Sequence, residues 1–401
     1  MIGTYDVVVI GAGPIGGFLS RRLNEFGHSV LLIEEHSEIG RPFQCAGLVN
    51  PKAMETVNLQ ETILSEIWGA NIHSPMGNKV SIGDPEVART YSVCRKLFDE
   101  SVVMQSLRSG TELMLSSKPT SVSKYEDRLR LTIRGPNGEE DVFCKLLCGA
   151  DGAHSWVRRK LRMGRPTETM IGFQIEVTGY SGDIGMLDMY TGKTVSPGFF
   201  SWAIPTGETT RIGTWSKPEL MDGISSEEFL VRLMNDRKIN HRFRDCSEVA
   251  RFCGPVPSGL VKRPLRERVA LFGDAAGICK PTTGGGIGPG FAQVEILVPS
   301  LSEAISKNDL GERKMKAISA SLSDFRRDQR RKRALRDAFL TEINDNDLEE
   351  IFSVWSRPEV ISLINEVGEI ENPIPLGIRM LREVPEFRKL AGRAAKAVLW
   401  G

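Results

Sequence analysis

Asp6-Val7-Val8-Val9-Ile10-Gly11-Ala12-Gly13-Pro14-Ile15-Gly16-Gly17, with Glu34 23 positions after Gly11, is the stretch that decides the fold. DVVVI is a continuous apolar run, the pattern of a strand in a parallel sheet covered on both faces. Residues 14–26 follow as a helix with proline in its first turn, and Gly27 is a suitable C-cap. Residues 29–33 form the next strand, which ends at Glu34. The whole is a βαβ unit in about 30 residues. Gly11 permits the tight turn, Gly13 lets backbone approach a pyrophosphate, and Gly16 allows close helix–strand packing. Free N–H groups and the helix dipole favour a diphosphate at this helix start. A carboxylate at Glu34 suits ribose hydroxyls and disfavours a 2′-phosphate.

Composition narrows the remainder. At 401 residues the chain is long enough for one large domain or two or three smaller ones. A net charge of +1 gives no global field toward nucleic acid. No run approaches the roughly 18 apolar residues of a spanning helix, and the start has the pattern of a strand, not of a signal peptide. Seven scattered cysteines without a CxxC pair, together with few histidines, favour neither a structural zinc nor a disulfide framework. These features imply a cytoplasmic, reducing setting. Residues 36–95 look irregular, 96–108 helical, and 112–115, 128–133 and 141–147 strand-like. Alternation dominates residues 172–215 (Phe173, Ile175, Val177, then Trp202, Ile204, Ile212, Trp215), as in an antiparallel sheet. From about Ile287 onward the pattern is helical.

Two further glycine pieces lie far downstream: Gly149-Ala150-Asp151-Gly152, and Gly273-Asp274 running into Gly284-Gly285-Gly286-Ile287. Three such pieces in this order point to FAD. The segment from Cys148 to Arg158 resembles the "DG" motif, and the segment from Val269 to Ala276 the "GD" motif, of the flavoprotein superfamily of aromatic hydroxylases, squalene epoxidases and geranylgeranyl reductases. The resemblance spans roughly residues 5–300. It implies that Asp274 contacts the flavin ribityl chain. A helix start at Gly286 and Ile287 would stabilise reduced flavin. The expected fold is α/β. A discontinuous Rossmann-like FAD-binding domain (1–170 and 255–300) would carry an inserted antiparallel-sheet substrate domain (171–254), and a helical region (301–401) would follow.

Further segments narrow the family. Pro42-Phe43-Gln44-Cys45-Ala46-Gly47 resembles the PxxxCG motif of archaeal geranylgeranyl reductases, with Ala46 in place of the motif's glycine. Phe200-Ser-Trp202-Ala-Ile204-Pro205 resembles their YxWxFP motif, and also drifts toward the WxWxIP of flavin halogenases. Arg95-Lys-Leu-Phe98-Asp99 is similar to their RxxFD helix start. The resemblance implies FAD contacts from Gly11, Gly13, Ile15, Gly16, Glu34, Cys45, Ala46, Gly47, Arg95, Asp274, Gly286 and Ile287. Phe200 and Trp202 would meet substrate, and Cys45 would shape the pocket or assist proton delivery. No residue set suggests a metal.

The function implied is saturation of geranylgeranyl chains of isoprenoid ether lipids by hydride from reduced FAD. The electron donor, reduced ferredoxin or NAD(P)H, stays open. Two other readings stand beside it: a flavin monooxygenase or halogenase, and an electron carrier to quinone. Residues 326–336 (RRDQRRKRALR) carry seven basic residues against one acid. The run reads first as a solvated helix face, then as a contact for anionic lipid headgroups at a membrane surface. Nucleic acid has no supporting motif.

Overall fold

The computed structural model describes residues 3–42, 45–367 and 373–390. Its first sheet has a parallel core of five strands in the order Val269–Leu271, Gly138–Gly149, Gly3–Ile10, Val30–Ile33, Glu112–Met114. Val7, Val8 and Val9 have no exposed surface, because both faces of this sheet are covered. Helices Pro14–Glu25, Arg95–Arg108 and Ile287–Ser306 pack together on it. Phe18 and Phe291 meet with ring centroids 4.5 Å apart. Gly17 lets the first helix approach Val102 and Val103, where a Cβ would stand 3.1 Å from both side chains.

Register explains why the three glycine pieces meet. Ile10 pairs with Ile33 on one side and Gly149 on the other, and Gly149 pairs with Leu271. The strands therefore end level. Gly11, Glu34, Ala150 and Gly273, each one or two residues beyond, share one sheet edge at the carboxyl ends, where open α/β sheets place their ligands.

The second sheet has seven strands in the order Ser247–Ser258, Glu168–Thr178, Thr209–Ser216, Ser201–Thr206, Met186–Tyr190, Gly69–His73, Lys79–Gly83. All pairs are antiparallel except Met186–Tyr190 with Gly69–His73. Its two outermost strands at one side come from the stretch 36–95 that was expected to be irregular. That stretch holds five strands (Leu48–Val49, Ile63–Ile67, Gly69–His73, Lys79–Gly83, Thr90–Val93) and helix Pro51–Val57. Short strands between glycine and proline turns give no periodicity, and one partner, Met186 for Gly69, lies 117 positions away.

The two apolar sets of the alternating stretch face opposite ways. Ile175 and Val177 pack with Leu230 and Leu233 of helix Ser226–Asn235, whereas Trp202 and Ile204 cluster with Leu187 and Phe200 on the other face. Past residue 306 the described residues are mainly helical through Pro385–Leu390. Helices Asp345–Trp355 and Pro358–Val367 cover the outer strand Lys79–Gly83: Gly83 N–H donates to Asn365 Oδ1 (2.8 Å), and Asn78 Nδ2 to Glu349 Oε2 (2.9 Å). This coverage removes an exposed edge.

Candidate active site

One cavity of about 1130 Å³ runs from the level strand ends of the first sheet across the second sheet to the C-terminal helices. Its lining includes Gly11, Gly13, Ile15, Glu34, Cys45, Ala46, Arg95, Asp274, Gly286, Ile287, Phe200 and Trp202. Gly16 and Gly47 stand behind the lining. A Cβ on Gly16 would collide with the Gly11 carbonyl oxygen, and one on Gly47 with the Arg211 guanidinium. Phe43 and Gln44 of the cysteine motif lie outside the described residues.

At the first helix start, a Cβ built on Gly13 would meet nothing within 4 Å. The absent side chain therefore leaves space in the cavity wall and is not demanded by packing. Gly13 and Gly286 are the N-caps of Pro14–Glu25 and Ile287–Ser306, and neither helix has a side-chain cap. Both uncapped ends line the cavity. The Glu34 carboxylate is fixed by Ala12 N–H (2.9 Å) and by His36, whose backbone N–H and Nδ1 lie 3.0 and 2.6 Å from Oε1. Asp151 Oδ2 accepts from Val157 N–H (3.0 Å), while buried Oδ1 has no hydrogen-bond partner among the described residues. Arg158 ties the second piece to the third through the Ala275 carbonyl (2.8 Å) and the Ala153 carbonyl (2.5 Å). His154 is exposed on the cavity rim.

Between these glycine cradles lies a buried cluster of ionisable groups. Arg95 makes a two-pronged pair with Asp99, at 3.0 Å (Nε) and 2.8 Å (Nη2). Burial opposes the charge on Arg95, but Asp99 and Cys45 together raise its pKa, so it remains a cation. Burial pushes the Asp274 carboxyl up, and Cys279 Sγ donates to its Oδ1 at 3.0 Å. Arg211, only 3 % exposed, donates to the Ala46 carbonyl (3.0 Å) and the Val93 carbonyl (3.2 Å). Burial lowers its pKa, while neighbouring Glu176 and Cys45 act in the opposite sense. Cys45 thus stands within electrostatic reach of two guanidiniums, and its Sγ accepts from Gly47 N–H at 3.3 Å.

The other half of the cavity is apolar. Leu187, Met189, Phe200, Trp202, Ile204 and Trp215 come from the sheet. Trp215 is seated on bare backbone at Gly172 and Gly284, where a Cβ would overlap its ring. Trp202 Nε1 finds Gln174 Oε1 at 3.3 Å, which satisfies the indole in a buried site. Leu340, Phe352 and Met380 of the C-terminal helices close this half. They carry no motif, and amphipathic helix spacing alone did not connect them with a site.

The basic run is only in part an exposed face. Arg336 has a side-chain exposure of 1 % and holds Glu168 (2.8 Å), the Pro281 carbonyl (3.0 Å) and Asp337 (2.7 Å). Arg333 adds a bond to Glu168 (3.0 Å), and Arg326 donates to the Leu260 carbonyl (2.9 Å). Lys332 is buried beside Asp328. Arg327 and Arg330 remain exposed. A one-turn π-helix, Asp337–Thr341, follows directly, and Lys217 pins Asp337 at 2.8 Å. Among the described residues no helix is long and apolar enough to cross a membrane.

The FAD binding domain family matches residues 4–310. Digeranylgeranylglycerophospholipid reductase 2 of Methanothermobacter thermautotrophicus is 30% identical over 71% of this chain and 74% of its own. The chain belongs to the geranylgeranyl reductase family of FAD-binding proteins. A geranylgeranyl bacteriochlorophyll reductase-like protein of Thermoplasma acidophilum shares the fold at TM-score 0.83 and 22% identity, covering 94% of this chain and all of that one. A halogenase solved in complex with FAD aligns at TM-score 0.70 and 15% identity, over 98% of this chain and 86% of its own. The chain is an FAD-dependent oxidoreductase of the reductase type. Its own residues fit that cofactor: the open wall at Gly13, the two uncapped helix starts and the unpartnered Asp151 Oδ1 all border one space.

Proposed function

We propose that the protein saturates isolated double bonds in the isoprenoid chains of ether lipids. The observation that carries this reading is the continuity of the glycine-lined cradle with an apolar, aromatic half closed by the C-terminal helices. The relatives' names agree with a prenyl-chain substrate. Gly11, Gly13, Ile15, Glu34, Ala46, Arg95, Asp274, Gly286 and Ile287 would hold FAD in the cradle, with Gly16 and Gly47 setting the backbone behind them; once reduced by an external donor, ferredoxin or NAD(P)H, the cofactor would supply hydride chemistry at one alkene carbon.

An isolated alkene has no carbonyl to polarise, so the second carbon needs a proton as the first receives hydride. Cys45 Sγ–H gives that proton. The sulfur left behind is stabilised by Arg95 and Arg211 and regains a proton from water. Phe200, Trp202 and Trp215 hold the chain and exclude water.

Dithionite-reduced protein incubated with a digeranylgeranyl lipid is expected to yield products heavier by successive pairs of hydrogens in mass spectra; unchanged lipid overturns the proposal. Cys45→Ala is expected to lower kcat roughly 100-fold with KM little moved, and Cys45→Ser to restore part of it. The halogenase-like fold and the Phe200-x-Trp202-x-Ile204-Pro205 spacing favour, as a second reading, a flavin monooxygenase or halogenase. Oxygen consumption stimulated by an aromatic substrate would select it.

A further inference from the structure

The cations that line the cavity differ in how they are satisfied. Arg95 is held by Asp99, and Arg336 by Glu168 and Asp337. Arg41, Lys118 and Arg159 lie with Glu34 and His154 at the cradle end and are exposed, and half-buried Lys280, which lines the cavity beside Gly285, is also engaged. Arg89 is different. It lines the cavity, it is half-buried, and its guanidinium makes one hydrogen bond, to the Asn365 carbonyl at 3.3 Å. No carboxylate of the described residues pairs with it. Asn365 Oδ1 is already engaged by Gly83 N–H. Arg89 therefore sits at the seam between strand Lys79–Gly83 and helix Pro358–Val367, and among the described residues most of its five donors meet no partner. Thr90 and Leu376 line the cavity nearby in the chain and from the next helix.

Arg89 is fixed in place by its backbone. Its N–H donates to the Ile67 carbonyl (2.8 Å), and strand Thr90–Val93 runs from it to Arg95. Six residues of extended chain span on the order of 20 Å at about 3.3 Å per residue. One end of this span lies beside Cys45 and Asp274 and the other at the seam, and the cavity that both ends line is also lined by Leu187, Trp202 and Ile204. A guanidinium with open donors at the far end of an apolar slot matches a ligand with an anionic head and a long hydrocarbon tail.

We propose that Arg89 is the subsite for the phosphate-class head of the isoprenoid substrate. The anchor fixes how far the tail reaches and hence which double bond lies near Cys45. This inference rests on the lipid reading above and names a residue that selects among lipids.

The test compares three probes on the FAD-loaded, dithionite-reduced protein: digeranylgeranylglyceryl phosphate, geranylgeranyl diphosphate and geranylgeraniol. Arg89→Ala and Arg89→Glu are measured beside Arg89→Lys, with flavin content and thermal melting taken as folding controls. The expected result is that kcat/KM for the phosphates relative to the alcohol falls at least tenfold in Arg89→Ala, further in Arg89→Glu, and by much less in Arg89→Lys. A fall for both phosphates assigns the subsite to phosphate as such; a fall for the glyceryl phosphate alone assigns it to the lipid headgroup. A ratio within twofold of wild type in Arg89→Ala and Arg89→Glu, with all three probes reduced, overturns the anchor and leaves the lipid reading intact. If the wild-type protein reduces none of the probes, the lipid reading fails and takes the anchor with it.

Discussion

Gly13 and Gly16 stand three residues apart in one motif, yet the structure separates their tasks. Gly16 is required by packing, because any Cβ there enters the Gly11 carbonyl oxygen, which is backbone and cannot yield. Gly13 has an ordinary φ of −74° and open space where a side chain would go. Gly16→Ala is therefore expected to cost about 3 kcal/mol of stability, as overpacking against fixed atoms does. Gly13→Ala should fold with a melting temperature close to wild type and bind FAD at least tenfold more weakly, measured by fluorescence titration of the apoprotein. Equal loss of stability in both variants would refute the division. The sequence motif already contained this difference in role, because a turn, a close approach and a packing contact demand glycine at those three places. Arg211 was not legible in the same way: no motif marks a buried guanidinium that reaches the Ala46 carbonyl from 165 positions away.

Among elements, helix Ser323–Arg336 shows where pattern reading fails. Seven cations in eleven positions suggested water or lipid as the partner, but Arg333 and Arg336 reach Glu168, the first residue of a strand in the second sheet. Partners 165 and 168 positions away leave no local trace, so charge patterning cannot distinguish a buried clamp from a solvated face. The elements that were legible, Gly3–Ile10, Pro14–Glu25 and Arg95–Arg108, are those with a continuous buried face or a strong stop signal. The clamp carries a pH signature. Burial pushes the Glu168 carboxyl up, but Arg336 and Arg333 outweigh it and hold its pKa below the ordinary 4.5. A group with a depressed folded pKa contributes stability that is fully present above its unfolded value and is lost as pH falls through the folded one. Thermal melts should therefore place Glu168→Gln well below wild type at pH 7, with the gap narrowing only as the pH falls beneath the ordinary carboxylate value and through the depressed folded one, where the wild-type carboxyl takes up its proton. A gap that stays constant into acid would show that the pair contributes shape and no charge interaction.

Taken whole, the molecule is two large sheets, a small three-stranded sheet (Leu48–Val49, Thr90–Val93, Ile63–Ile67) and a helical cover around a cavity, and that cavity couples parts of the chain that share no secondary structure. Residues 11–15, 151, 274, 279–280 and 282–287 border one end; helices Asp345–Trp355 and Pro373–Glu383 border the other. Anything that binds the folded form alone stabilises it by mass action, by about 2.7 kcal/mol at a hundredfold excess over Kd. That stabilisation should appear wherever backbone faces the ligand, irrespective of distance along the chain. Hydrogen exchange on deflavinated protein is thus expected to slow together at the Gly11, Asp151 and Gly286 segments when FAD is added. The same addition should leave the helices around Phe352 and Met380 little changed. A digeranylgeranyl lipid added afterwards should reverse the pattern, protecting those helices and the strand ending at Tyr190 with little further effect at Gly11. The two ligands then report two halves of one space. Protection by FAD that spreads evenly over both halves would mean that the C-terminal helices respond to the cofactor itself, and the apolar end would lose its standing as a separate substrate slot.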